Sequence, residues 1–284
     1  MGSECQICGG AVRRYRHQWL YRCAGCGVLS ADLPVAIPRT AEAGAIDEAA
    51  RAAGLDALRV RNNQRMIETL QGLGAGGRLL DVGCGPGFLL DQAAAAGFLA
   101  EGLEPDANVL DLARRRGRPV RQGYFPDALA PAEQFDVIVF NDVLEHIPDL
   151  AGALAACAAR LSPGGLLVTN CPDRRGLFFR VADALDRLAL SGAYDRLWQR
   201  GLPSPHVWYF TPEDLACAAA RHGFEPAAET RLATISLKGL WRRIRLVRAT
   251  PLPLALASLL FAWAAYPLSR LTPGDAVVCV FRKA

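Results

Sequence analysis

Three groups of residues in this chain of 284 have types and spacings that could do chemistry. Cys5, Cys8, Cys23 and Cys26 form a C-x2-C-x14-C-x2-C pattern, each pair standing before glycine. Two such pairs of thiolates can close a tetrahedron around one ion. Four thiolates leave no open coordination position, so the site would be structural, not catalytic. The second group is the turn Gly83-Cys84-Gly85-Pro86-Gly87, between the apolar run Arg78 to Val82 and a helical pattern starting at Phe88. Glycines free the backbone to turn tightly and approach a ligand, and the next helix opens with unpaired N–H groups. Glu104 ends the following apolar run, where a carboxylate can accept hydrogen bonds from both hydroxyls of a ribose. The third group is the four histidines. His17 falls among the cysteines and His222 in a predicted surface helix. That leaves His146, in Asn-Asp-Val-Leu-Glu-His, and His206, at the head of His-Val-Trp-Tyr-Phe, as candidate bases.

These groups need a frame. Residues 77–236 alternate short apolar runs with helical patterns near 88–96, 106–116 and 150–161. That rhythm predicts an α/β fold, with a parallel sheet covered by helices on both faces. Ahead of it, residues 1–30 are cysteine-rich and punctuated by glycine. Residues 31–72 read as a linker, broken by Pro34 and Pro38, that becomes a helical lead-in. Residues 172–205 follow the fifth apolar run and are expected to be a variable substrate region. Within it, 173–201 carries six arginines against four aspartates; this reads as a solvated helix surface, or as one arginine reaching a substrate phosphate or carboxylate. Residues 238–272 are an insertion, basic at first and then uncharged, before a last apolar run, Ala276 to Arg282. No internal repeat is evident.

Apolar residues make up 51% and charged residues 21%, which excludes a mostly disordered chain. The net charge of +4 is too mild to require nucleic acid or membrane as a partner. The N-terminal residues lack a basic region followed by an apolar run, so no secretory signal is evident. Nine cysteines without one point to thiols and metal ligands in a reducing, cytoplasmic compartment.

A dinucleotide fingerprint, Gly-x-Gly-x-x-Gly, would have its third glycine at 88, which is Phe88. Gly-x-Gly-x-Gly over 83–87, with an acid closing the next strand, instead resembles motif I of class I S-adenosylmethionine-dependent methyltransferases. Residues 135–149 resemble that family's fourth strand and loop, and 161–173 its fifth strand with a Pro-Gly-Gly approach. Residues 206–225 resemble the later helix and sixth strand of its small-molecule branch, which includes the ubiquinone-biosynthesis O-methyltransferases. The resemblance covers residues 60–284. It implies a Rossmann-like, doubly wound, mostly parallel seven-stranded sheet over residues 73–284, with S-adenosylmethionine as cofactor. A ligand-free tight turn and a nicotinamide dehydrogenase are the competing readings of the glycines.

Carried over by position, the resemblance implies that Asp81 organises the amino-acid end of the cofactor. Gly83, Cys84, Gly85 and Gly87 pass under its methionine portion, and Glu104 holds the ribose. Gly123 and Tyr124 line the adenine pocket, where many members place an Asp that this sequence lacks. Asn141 stands near the sulfonium. Methyl transfer from a sulfonium is an in-line displacement, so the protein must chiefly align the acceptor and remove its proton. His146 and His206 are the candidate catalytic residues. If a helical turn begins at Asp142, then Asp142, Glu145 and His146 share one face. The ubiquinone O-methyltransferases carry Glu-x-x-Glu-His here, a pattern associated in some members with a divalent metal; this chain has the shorter Asp142. Cofactor-site wall, catalytic base and metal ligand all remain open for His146. His206 is either a base at an aromatic-lined pocket or a packed loop residue.

The cysteine pattern resembles a zinc ribbon preceding a methyltransferase, which implies a structural zinc; redox or unpaired thiols are the other reading. The expected reaction is methylation, most simply at oxygen, of a small-molecule, sugar or lipid-linked acceptor. The alternative is an RNA methyltransferase that docks through the ribbon, where arginines interleave with Tyr15, Trp19 and Tyr21. The segment after the fourth strand lacks the Asn/Asp-Pro-Pro-Tyr/Phe sequence of exocyclic-amine methylation, so nucleic acid is not the expected partner. Within 238–270, Lys238, Arg242, Arg243, Arg245 and Arg248 precede 21 uncharged residues, Ala249 to Ser269. The length would span a bilayer, but the last strand must rejoin the sheet. The stretch is expected either to cap an apolar acceptor pocket or to make peripheral contact with anionic lipid; an ordinary buried helix pair or subunit contact is the alternative.

Overall fold

The computed structural model describes residues 3–37, 56–234 and 274–284, with single positions between 240 and 267. The chain opens with three short strands, β1 (Val12–Tyr15), β2 (His17–Cys23) and β3 (Leu29–Ala31). Helix α1 (Asp56–Gly72) leads into β4 (Arg78–Val82), α2 (Phe88–Ala95), β5 (Leu99–Glu104), α3 (Ala107–Arg115) and β6 (Val120–Gln122). Then come β7 (Phe135–Asn141), a 3₁₀ turn (Leu144–His146), α4 (Leu150–Arg160) and β8 (Leu161–Pro172). Helices α5 (Leu177–Arg187) and α6 (Gly192–Leu197) precede β9 (Trp208–Tyr209), α7 (Pro212–Ala220), β10 (Phe224–Leu232) and β11 (Ala276–Lys283).

Seven strands form one sheet in the order β10-β11-β8-β7-β4-β5-β6. Within it β4 to β8 are mutually parallel, while β11 pairs antiparallel with both neighbours. Covered on both faces, the central strands are continuous apolar runs; Leu79, Leu80 and every residue from Val137 to Phe140 are fully buried. One face packs against α1 and α2 through Met66, Ile67, Leu70, Leu89 and Leu90, the other against α4 and α7 through Leu150, Leu154, Leu215 and Ala218. Local chemistry fixes the helix starts. Asp106 caps α3 and Asp149 caps α4, and Thr211 with Asp214 forms a reciprocal capping box ahead of α7, Pro212 standing in its first turn.

Because β4 pairs with β5 on one side and β7 on the other, the winding reverses there. A crevice therefore opens at the carboxyl ends of these strands, the usual ligand position in open α/β sheets. A second sheet, ordered β1-β2-β3-β9, joins the cysteine-bearing strands to a strand drawn from residues 208–209. It does not stand apart: Cys5, Ile7, Cys23 and Val28 share a core with the α4–α7 face, and Leu20 and Leu29 pack with Phe179, Tyr194, Trp198 and Tyr209.

Two readings of the sequence change here. Asp142 takes a left-handed φ of 58° and only a 3₁₀ turn follows, so no α-helical face carries Asp142, Glu145 and His146. His222 lies in the turn after α7, not within a helix. The proposed cap or lipid contact at 238–270 lies largely outside the described residues. Of its scattered described positions, Trp241, Leu252, Leu256, Leu260 and Trp263 are exposed. Among the described residues no helix is long and apolar enough to cross a membrane.

Candidate active site

The crevice is lined first by acids. Asp81, the fourth residue of β4, is 2% exposed, and its Oδ1 has no hydrogen-bond partner among the described residues. Burial, and then the charge of Glu104, push its carboxyl up to about 8. Gly83 follows with φ 68°, and a Cβ there would lie 2.6 Å from Val143 Cγ2, so conformation and contact both demand glycine. The turn closes through Gly87 N–H donating to Cys84 O at 3.0 Å, and Cys84 N–H donating to Leu103 O at 2.9 Å. The Cys84 thiol occupies the space that a side chain at Gly102 would need, only 2.5 Å from a Cβ built there. Glu104 ties turn to strand: its Oε2 accepts from Gly85 N–H and its Oε1 from Asp106 N–H, both at 2.9 Å. Gly123 N–H donates to Glu104 O at 3.3 Å, which sets Gly123 and the partly exposed Tyr124 beside the end of β5.

Asn141 ends β7, one register step beyond the Val82–Phe140 pair and so level with the glycine turn. Its Oδ1 accepts from Asn170 Nδ2 at 2.8 Å, and its Nδ2 donates to Asn63 Oδ1 at 3.2 Å. Asn170 Nδ2 also donates to Asp142 Oδ1 at 3.0 Å. Asn63 and Asn170 are almost fully buried, on α1 and β8. Sequence reasoning did not single them out. The available signal was polar side chains inside patterns that otherwise bury apolar ones. The Arg59 guanidinium of α1 lies 6.0 Å from the Phe88 ring, and that of Arg116 lies 4.6 Å from it.

Beyond the 3₁₀ turn, residues 206–208 run alongside 145–147: Val207 N–H donates to Glu145 O at 2.8 Å and Trp208 Nε1 to Ile147 O at 2.9 Å. This brings His146 and His206 together, ring centroids 4.7 Å apart and nearly perpendicular. His146 Nδ1 donates to Pro205 O at 2.9 Å. A carbonyl can only accept, so the proton sits on Nδ1 and Nε2 keeps its lone pair. Burial holds His146 below the usual histidine range. His206 is more deeply buried, with Nε2 accepting from the Gln199 amide at 2.8 Å. Burial and the neighbouring His146 hold it down to about 3. Glu145 is 1% exposed, and its carboxylate faces the buried Cys171 thiol without a nitrogen or oxygen partner among the described residues. Burial, then the charge of Asp142, raise it well above the usual carboxylate range. One ligand atom from each of Glu145, His146 and His206 lies within 4.8 Å of the other two, a donor set that could hold a proton or a divalent cation.

Cys5, Cys8, Cys23 and Cys26 also converge, all four sulfurs within 4.8 Å of one another. Cys5–Cys26 is 3.8 Å and Cys8–Cys23 is 3.4 Å. A tetrahedron with zinc–sulfur bonds of about 2.3 Å has edges of about 3.8 Å, so the set fits zinc. Gly10 N–H donates to Cys8 Sγ at 3.4 Å and Gly25 N–H to Cys23 Sγ at 3.3 Å. Burial works against the Cys23 thiolate, but hydrogen bonds from the Cys26 backbone, Cys8 and Gly25 outweigh it and bring the thiol down to about 6.

Comparison with known proteins agrees with this geometry. A family model described as "Methyltransferase domain" matches residues 49–229. The chain is 34% identical over 169 residues to the ubiquinone biosynthesis O-methyltransferase of Bordetella bronchiseptica, covering 56% of this chain and 67% of that one. It is 30% identical over 187 residues to the enzyme of the same name from Rhodopseudomonas palustris, covering 63% and 65%. The fold is shared with a SAM-dependent methyltransferase from Thermotoga maritima (TM-score 0.56, 16% identity, 84% of this chain and 96% of that chain). It is also shared with magnesium protoporphyrin IX methyltransferase from Synechocystis with bound SAH (TM-score 0.52, 13% identity, 86% and 90%). The chain belongs to the methyltransferase-domain family and is an S-adenosylmethionine-dependent methyltransferase.

Proposed function

We propose that the protein methylates a hydroxyl of a small, apolar or lipid-linked acceptor, with His146 as the base. The observation that carries this reading is the neutral His146 imidazole, its Nδ1–H fixed on Pro205 O and its Nε2 lone pair available, directly after β7. The relatives named ubiquinone biosynthesis O-methyltransferase support oxygen as the acceptor atom. The bound cofactor supplies a methyl group already activated by the sulfonium charge. His146 Nε2 would take the acceptor proton, and His206, held by Gln199, would fix the His146 ring. The test is transfer of labelled methyl to hydroxylated aromatic acceptors with and without an apolar tail. Label appearing only on amines or on RNA would sink the reading. The exposed Leu252, Leu256 and Leu260 support a lipid-facing acceptor route. Sedimentation with anionic liposomes should therefore retain the parent, and lose a variant with Leu256 and Leu260 changed to Ser.

In the same reading Asp81, Gly83, Cys84, Gly85, Gly87, Glu104, Gly123, Tyr124 and Asn141 seat the cofactor. Glu104→Ala should weaken S-adenosylmethionine binding by about 1.5–3 kcal/mol, the scale of a lost charge-assisted hydrogen bond. Unchanged affinity in a calorimetric titration would refute its role.

Asp81 gives a pH dependence with a definite sign. Its carboxyl, at about 8 in the free protein, is mostly protonated at neutral pH. A cationic amino group beside it favours the carboxylate, so cofactor binding should release a proton and tighten as pH rises from 6 to about 8. Without cofactor the sign reverses for the fold. The folded state holds a proton that the unfolded chain has lost, so stability attributable to Asp81 falls across the same window. Calorimetry in buffers of differing ionisation enthalpy measures the proton; no release at neutral pH would contradict the assignment.

The Glu145–His146–His206 donor set favours one second reading, a divalent cation assisting acceptor ionisation. Turnover that depends on added magnesium or manganese, in protein that keeps its cysteine-bound metal, would select it over simple base catalysis. Zinc itself is proposed for the four cysteines.

A further inference from the structure

Between the cysteine sheet and α5 runs a groove of about 540 Å³ that lies outside the residues proposed for methyl transfer. Five arginines line it: Arg22 from β2, Arg174 and Arg175 from the β8–α5 loop, and Arg180 and Arg187 from α5. The single lining acid is Asp183. An adjoining recess of about 480 Å³ shares Tyr15 and Arg22 and adds Arg13 and Arg14.

The arginines divide into two sets. Arg174 donates to Gly27 O and pairs with Asp214, Arg175 pairs with Glu213, and Arg187 pairs with Asp183, so these three are held in place. Arg13, Arg14, Arg22 and Arg180 have no ion pair among the described residues; Arg22 only stacks over the Tyr15 ring at 5.5 Å. Arg13 and Arg22 also stand directly opposite each other in the β1–β2 ladder. Like charges in that position destabilise a strand pair. Among the described residues no acid pairs with either arginine, so a bound anion would relieve this repulsion. Guanidinium forks match phosphate oxygens two at a time, and fixed forks beside free ones suit a group presenting several such oxygens. The volume fits a small phosphorylated molecule.

A chain of ring contacts also leads from the groove to the proposed transfer site. The Phe179 ring, on its wall, packs on Tyr209 at 4.6 Å; Tyr209 packs on His206 at 5.4 Å, and His206 on His146 at 4.7 Å. Three rings in series, Phe179, Tyr209 and His206, therefore stand between the groove and the proposed base.

We propose that this groove is a binding site for the phosphate or diphosphate group of a small phosphorylated ligand, with Arg22 and Arg180, which have no ion pair among the described residues, as its principal cations. Binding there does not depend on the acceptor proposed above. The test is calorimetric titration of the full, metal-loaded chain with inorganic pyrophosphate at low salt. Sub-millimolar binding is expected, weakening as salt rises. The double variant Arg22→Ala, Arg180→Ala should lose at least about tenfold in affinity, the loss of two charge-assisted contacts, and still bind S-adenosylmethionine and zinc as the parent does. Arg114→Ala, on α3 outside the groove, should change nothing. No binding to the parent, or equal binding by the double variant, would overturn the site whatever the fate of the methyl-transfer reading. Displacement of pyrophosphate by a soluble nucleoside diphosphate would identify a soluble ligand; displacement only by vesicles of phosphatidic acid would identify a lipid phosphate. Both would support the site. Displacement by single-stranded RNA that binds far more tightly than pyrophosphate would overturn it in favour of a nucleic-acid surface.

Discussion

Replacing His146 with alanine is expected to lower turnover by about 10²–10⁴-fold, the usual cost of losing a general base. The dissociation constant for S-adenosylmethionine should barely move, because the hydrogen-bond partner of the His146 ring is Pro205 O, on the loop before β9, and not the glycine turn. The pH profile should change with it. In the parent, turnover should fall as pH drops through the depressed folded pKa of His146, since burial keeps the imidazole neutral only above that point. In His146→Ala that limb should vanish along with most of the rate. His206→Ala should lower turnover less and leave the limb in place, shifted upward, because removing the neighbouring ring would lessen the burial that depresses His146. If both variants keep near-normal turnover, proton removal falls to Asp142 or Glu145, or transfer relies on proximity alone. Stability has its own sign. His206 is held down to about 3 while the unfolded chain titrates near the ordinary histidine value. The unfolded state therefore gains protons first, and stability should drop as pH falls below about 6.5.

The second large effect is expected from the cysteines. Protein purified without added metal should contain about one equivalent of zinc, and Cys23→Ser should contain less than about 0.2. Structural zinc sites bind with apparent free energies of about 10–16 kcal/mol at neutral pH, so removal should undo the local fold. The seven-stranded sheet should survive by far-UV circular dichroism. The loss should appear around Trp19 and Trp208, because β9 pairs with β3 and the cysteine core is continuous with α4 and α7. Since β9 adjoins His206, turnover should fall as well. Normal folding of the parent with less than about 0.2 equivalent of zinc would defeat the assignment.

The glycine turn and the acid at its side were legible because their constraints are local. A tight turn needs Gly83, Gly85 and Gly87 whatever surrounds it, and an acid ending the next strand follows from the spacing of a βαβ unit. The cysteine set was legible for the same reason: paired thiolates at short spacing leave few other uses. The histidine pair was not. Glu145 and His146 were visible, but their expected partner was Asp142 on a helical turn. A left-handed residue at 142 and a 3₁₀ turn instead direct them toward His206.

What the sequence determined by itself was the alternation of strands and helices, the glycine turn and the four thiols, all set by periodicity and short-range spacing. Tertiary structure alone decided three things. Asn63 and Asn170 meet at Asn141 from elements about eighty and thirty residues away. His206 stands against His146 because residues 206–208 pair with 145–147. The cysteine unit became part of the body because β9 completes its sheet and leaves an arginine-lined groove against α5. Each depends on which distant surfaces are buried together. Burial is a property of the packed chain, and no local pattern of residues encodes its partner.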